Sequence, residues 1–265
     1  MSTTLQLPAV VDENEKRAGV GHLLRSYTQM VRFEAINMKS FLVATLIIQT
    51  MMGAGMAVMY GFYFGEMPEA AKTFLVSGIP ALALFPVGFI LVPQTIADHR
   101  WDDTYDFMWS LPVPRIAAGA ATFTVYMGVA LPGAIVALVV SSLVYGVQLD
   151  PSVRVVPAVL MATVMATSVG YAMGHSVKRP EFVNLLTNLL IFTILLFSPL
   201  VVPIEFFPEW LQSAHRVLPF WHMANLVRDG LAPALVEDVA TSYLIALAWT
   251  VGSMVIAGRV IARRD

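Results

Sequence analysis

The stretch Asp98-His99-Arg100-Trp101-Asp102-Asp103-Thr104-Tyr105-Asp106-Phe107-Met108-Trp109-Ser110-Leu111-Pro112-Val113-Pro114-Arg115 lies between two long apolar segments and decides how the rest is read. It is the most charged piece between Phe41 and Val177. Unpaired charge is costly in hydrocarbon, so the stretch belongs outside it. Asp98, Asp102 and Asp106 recur at helical spacing as an acidic face, Trp101, Tyr105, Met108 and Trp109 make an apolar one, and Pro112 and Pro114 end the pattern. The simplest reading is a short amphipathic helix at a membrane surface, able to lie there or to dock a partner.

Composition agrees with a membrane on either side of it. Hydrophobic residues make up 57% of the 265-residue chain, charged residues 13%, and mean hydropathy is +0.71, against roughly 25% charged in a soluble domain. This is an all-α integral membrane protein with six expected transmembrane helices. The spans use up most of the chain and leave no room for a soluble domain of about 100–150 residues, so any energy source is expected on another chain. Cysteine is absent, which excludes a disulfide framework and thiolate metal or redox chemistry.

Towards the N-terminus, a second span is expected at about Thr73–Ala97. Pro80, Pro86 and Pro93 each remove a backbone donor there. Kinked helix is tolerated in a bilayer where protein or water satisfies the freed carbonyls, so this span should face the interior or a path. The first span, about Phe41–Phe64, carries Gly53, Ala57 and Gly61 on one face. Such a face lets another helix approach closely, either in a second subunit or within the same chain. Before it, Gly19–Lys39 places Leu23, Leu24, Tyr27, Met30, Val31 and Ile36 three to four residues apart, with Arg25, Arg32 and Lys39 between them. That pattern predicts an amphipathic helix in the interface plane. Residues 1–18 read as a flexible cytoplasmic tail without signal-peptide features.

Towards the C-terminus, spans are expected at about Ile116–Val147, Val155–Val177, Phe182–Val202 and Val239–Ala257. Pro132-Gly133 marks a bend in the third, Gly170 and Gly174 form a GxxxG in the fourth, and Lys178-Arg179-Pro180 is a basic turn. Six spans put both termini on one side. Twelve of the sixteen Lys and Arg residues then share that side, leaving Lys72, Arg154, Arg216 and Arg228 opposite, so the termini and the Asp98–Arg115 stretch read as cytoplasmic. Between the last two spans, Pro203–Asp238 is divided by Pro203, Pro208, Pro219 and Pro233 and carries Phe206, Phe207, Trp210, Phe220 and Trp221. It reads as one or two short helices that dip into the outer leaflet and return.

This order of parts resembles the permease subunit of ABC-2 type exporters, from about residue 20 to the end. Thr104–Arg115 looks like that family's Gly-Thr-x-(acid)-x-Leu-x-x-x-Pro-Val-x-Arg run, with Asp103 in place of Gly and Met108 in place of Leu. Phe207-Pro208-Glu209-Trp210-Leu211, through Leu218-Pro219 to Arg228, looks like its Phe-Pro-x-x-Leu, Asn-Pro, Arg sequence, with Leu218-Pro219 in place of Asn-Pro. The resemblance implies a drug- or antibiotic-exporter-like permease that pairs with a second, identical or homologous permease and recruits two copies of a separate ABC ATPase. ATP and Mg would be bound on the ATPase and no cofactor on this chain. It further implies a coupling helix holding Asp98, Arg100, Trp101, Asp102, Asp103, Tyr105, Asp106 and Met108, supported by a connecting helix with Leu23, Leu24, Tyr27 and Val31. The expected location is a bacterial-type plasma (inner) membrane.

The same residues speak against several other classes. The chain has no Gly-x-x-x-x-Gly-Lys-Ser/Thr and is not expected to be an enzyme. Asp98, His99, Asp102, Asp103 and Asp106 match no metal-ligand spacing, and no basic patch interleaved with aromatics suggests nucleic acid. An ion-coupled carrier would place acids or histidines near mid-span, where none is seen; a scaffold subunit without transport is the other alternative. The intramembrane polar set is sparse, and Gln49, Thr50, Asn184 and Asn188 are taken from it as a possible substrate path. Fifteen Met and fifteen Phe suit hydrophobic or amphipathic cargo, and equally ordinary packing. Small hydrophobic compounds are the expected substrate, with lipid or glycan export as the alternative.

Overall fold

The computed structural model describes residues 19–102, 104–110 and 112–263, and every regular element among them is helical. Six helices are long and apolar enough to cross a membrane: Val20–Tyr63, Glu69–Trp101, Arg115–Tyr145, Val155–Ser176, Pro180–Phe197 and Val239–Ala262. The N-terminal tail, Asp103 and Leu111 lie outside the described residues.

The first of these departs from expectation. No proline or glycine occurs between His22 and Met52, so nothing interrupts α1 (Val20–Thr50), which passes through a π turn at Met51–Gly55 into α2 (Met56–Phe64). The predicted interfacial helix and first span are one rod of 44 residues, ~66 Å long against a hydrocarbon core of ~30 Å. It therefore extends well beyond the core. Its buried positions, Ser26, Met30, Glu34, Met38, Thr45 and Gln49, repeat at multiples near four and seven residues, and this seam lies on α6 (Arg115–Tyr145). Leu23, Leu24 and Ile36 point away from the protein. Met30 and Val31 of the same apolar set face the protein, so the set does not lie on a single face.

At the centre stands α3 (Glu69–Pro86), a π turn at Val87–Leu91 and α4 (Val92–Trp101), almost wholly buried. The π turn follows Pro86, whose missing N–H opens the ladder. Burial of this triple-proline helix agrees with the sequence argument. Around it pack α6, α7 (Val155–Ser176) and α10 (Pro219–Leu231), with α8 (Pro180–Phe197) against α4 and α11 (Val239–Ala262) against α7. Gly170 and Gly174 let α7 press on the π turn: a Cβ at Gly170 would run into the Gly88 carbonyl oxygen, and one at Gly174 would lie 2.8 Å from Ile96 Cδ1. The GxxxG is thus a real contact inside the chain.

The segment between the last two spans folds as a 3₁₀ turn at Ile204–Phe206, α9 (Glu209–His215), α10 and a 3₁₀ turn at Pro233–Leu235. The aromatics expected at a headgroup belt divide between two environments. Phe206 and Trp210 are exposed, whereas Phe220 is buried against Phe85 and Phe89, with ring centroids 6.3 and 5.2 Å away. So α10, one of the two short helices of this segment, packs into the bundle, and Phe220 belongs to the core and not to an aromatic belt. It is tied to α11 by His222 Nδ1 and Ser242 Oγ at 3.1 Å, and the preceding turn by Trp249 Nε1 donating to the Val217 carbonyl at 2.8 Å.

Candidate functional site

The polar stretch folds as two short helices. α4 ends at Trp101, and after the break at Asp102 α5 (Thr104–Ser110) begins with Thr104 Oγ1 donating to the His99 carbonyl at 3.1 Å. The proposed coupling residues separate into two groups. Asp98, Trp101, Asp102 and Asp106 are exposed, Trp101 by 65%, and beside them Phe107, which sequence reasoning had not selected, is 59% exposed. Arg100 and Tyr105 turn inward instead.

Tyr105 is only 5% exposed. Its hydroxyl lies 2.7 Å from His175 Nδ1, and the Arg100 guanidinium sits 4.6 Å from its ring centroid. Arg100 also donates to the carbonyls of Val177 and His175, the latter at 3.0 Å. Together these bonds fasten α4 and α5 to the end of α7. Arg100 and Tyr105 therefore act as struts between α4, α5 and α7, where the sequence had grouped them with the exposed residues of the coupling helix. The i, i+4 pattern could not show this, because a tyrosine ring is equally suited to a core and to an interface. Met108 is half-buried against the same layer.

Of the connecting-helix residues, Tyr27 bonds Thr124 Oγ1 at 2.8 Å across to α6, Val31 packs on the core, and Leu23 and Leu24 face outward. The small-residue face of the first span is occupied within the chain: Gly53 lies against Ala137 and Ala83, the Ala57 carbonyl accepts from Tyr145 Oη at 2.5 Å, and Gly61 abuts the same Tyr145. Of the two readings open from the sequence, the contacts are those of packing within the chain.

The four substrate-path residues do not converge. Gln49 is fully buried, with Nε2 donating to the Val129 carbonyl at 3.1 Å in the turn before Pro132, and Gly133 leaves room for its side chain. It ties α1 to α6 beside Pro132 and is closed off from any cavity. Thr50 is half-buried on the same helix, while Asn184 and Asn188 are exposed on α8, which packs on the far side of α4. Asn188 Nδ2 donates to its own helix, to the Asn184 carbonyl at 2.8 Å.

Charged residues that prove buried include Glu34, which the sequence did not single out, and Arg228, which it did as part of the family-like run. Glu34, 4% exposed, accepts from Thr122 Oγ1 at 3.1 Å between α1 and α6; it had been counted within a surface helix. Arg228 is fully buried in α10, donating to Asn225 Oδ1 at 3.0 Å and the Leu200 carbonyl at 2.7 Å, with its guanidinium 3.7 Å from the Phe74 ring centroid. Burial pushes its pKa down to about 9, so it stays protonated at neutral pH. The close approach at Gly78, where a Cβ would lie 2.7 Å from an Arg228 nitrogen, makes room for it. Asp98, Asp102 and Glu34 face a cavity of about 780 Å³ between α1, α4 and α5. Among the described residues no three His, Asp or Glu gather as a metal site.

Residues 59–259 match the family described as ABC-2 family transporter protein, well over half of the chain. The chain belongs to that family. ABC-2 permeases are membrane transport components that work with an ABC ATPase and are not themselves catalytic. The six-span helical bundle accords with this. Among curated proteins there is no match to the chain.

Proposed function

We propose that the chain is the permease subunit of an ATP-driven exporter that moves hydrophobic or amphipathic small molecules outward by alternating access. The observation that carries the coupling role is the exposed pair Trp101 and Phe107, flanked by Asp98, Asp102 and Asp106, at the end of the second spanning helix and on the short α5 that follows it. Apolar knobs beside acids suit a groove on a soluble partner, where buried aromatics supply affinity and charges fix the register. Arg100 and Tyr105 brace this segment on α7, so a push on α5 would reach the central helix and α7 together. The ATPase, in two copies, would hold the ATP and Mg. The 12:4 distribution of basic residues supports an inner-membrane orientation with α5 and both termini in the cytoplasm.

Asn184 and Asn188 support pairing with a second permease. Apart from the Asn188 bond to its own helix, amide groups exposed on a spanning helix have nothing to bond in lipid, and a second copy or the water-filled path between two copies would satisfy them.

The test is affinity isolation of the permease from its native membrane with an ATPase assay in lipid. The expected result is a co-purifying P-loop ATPase that Trp101→Ala plus Phe107→Ala releases, with the permease still folded. Retention of the ATPase and full transport by that variant would remove the coupling assignment.

A further inference from the structure

The 780 Å³ cavity between α1, α4 and α5 falls within the range of ligand pockets, about 300–1,000 Å³. Its ionisable lining is mostly acidic. Glu34, Asp98 and Asp102 line it together with His99, and neither a lysine nor an arginine does. Glu34 is 4% exposed, and the ion pairs among the described residues include none of these three acids. A carboxyl group so deeply placed beside a membrane-spanning bundle, held by one hydroxyl with no lysine or arginine along the cavity, is a group that a bound cation would pair with. The remaining wall is aromatic. Phe33, Phe41, Trp101 and Phe107 contribute to it, and ring faces attract organic cations while tolerating varied apolar shapes. Asn37 and Gln94 add neutral hydrogen-bonding groups between the two surfaces.

We propose that this cavity binds an amphipathic organic cation, with its positive centre toward Glu34 and Asp98 and its apolar groups against the aromatic wall. The proposal rests on the transport reading above and narrows its substrate class. The cavity adjoins α5, so displacement of α5 by a partner would change the cavity's shape and give the cargo a route of response to the motor. A neutral or anionic compound of the same size would lack the compensation that Glu34 offers.

Tetraphenylphosphonium and tetraphenylborate have the same shape and opposite charge, and equilibrium dialysis against the purified full-length permease separates them. The expected result is saturable binding of the phosphonium alone, weakened about tenfold or more by Glu34→Gln and by Asp98→Asn. Glu34→Gln keeps an acceptor for Thr122, and an unchanged melting temperature of both acid variants in detergent shows that the loss does not come from unfolding. Absence of saturable phosphonium binding, or equal binding in wild type and the two acid variants, would overturn the proposal. Binding requires no ATPase. Failure to isolate an ATPase would sink the transport reading and leave the cation site standing, whereas an intact permease–ATPase complex without phosphonium binding would sink the site alone.

Discussion

Buried polar side chains decide most at the scale of single residues. Arg228 carries a charge into the core with two acceptors and an aromatic face as its compensation. Arg228→Met should destabilise the permease by about 2–4 kcal/mol, since it strands the Asn225 amide and the Leu200 carbonyl; thermal unfolding in detergent measures this. Tyr105→Ala should cost about 3 kcal/mol by leaving a cavity and freeing α5, while Trp101→Ala, at an exposed site, should leave the melting temperature nearly unchanged. The two aromatics looked alike in sequence and should behave oppositely. His222 gives a pH dependence with a definite sign. Burial lowers its pKa, and the neutral ring is satisfied by Ser242 and the Arg216 carbonyl. The unfolded chain therefore takes up a proton first. Its contribution to stability is full above about pH 6.5 and shrinks as pH falls through that value toward the lower folded pKa. Melting temperature should drop between pH 7.5 and 5.5, and less steeply in His222→Gln.

Between elements, close approach is set by glycine and by proline-broken helix. The π turn at Val87–Leu91 and the α7 glycines form one contact, in which the Gly88 carbonyl oxygen occupies the place a Cβ at Gly170 would need. Gly170→Ala should cost about 1–3 kcal/mol through overpacking. Gly128 on α6 has open space where its Cβ would be, and Gly128→Ala should be neutral or raise stability by roughly 0.5–1 kcal/mol through helix propensity. Denaturant titration of the two variants side by side checks the contrast. The central position of α3 and α4 was legible in the sequence, because three prolines in one span require protein around them. The continuity of α1 was also written there, in the absence of any breaker between His22 and Met52, but amphipathic periodicity drew attention to a surface helix instead. The site was less legible. Glu34 looked like one more charge on that helix, and only the contact with α6 makes it a buried group.

For the whole molecule, the distribution of exposed polar groups matters most. Asn184 and Asn188 stand on the outer face of α8, while the small-residue face of α1 and α2 is already filled by α3 and α6. A second permease should therefore meet this one along α8, and Asn188→Cys should cross-link between copies in native membranes, whereas Gly61→Cys, beside Tyr145, should not. Monomers alone after oxidation of Asn188→Cys would speak against that pairing. The sequence by itself determined the membrane class, the six spans, the placement of the charged stretch beyond them and the family's order of parts. Those properties depend on hydrophobicity counted along the chain against a bilayer of fixed thickness. The tertiary structure alone decided which faces are inside: that Tyr105 and Arg100 brace α7, that α10 is core, that Gln49 ties α1 to α6 and that Glu34 borders a cavity. Lipid and a packed protein interior are equally apolar, so the pattern of hydrophobic residues does not separate them. Only the contacts between helices do.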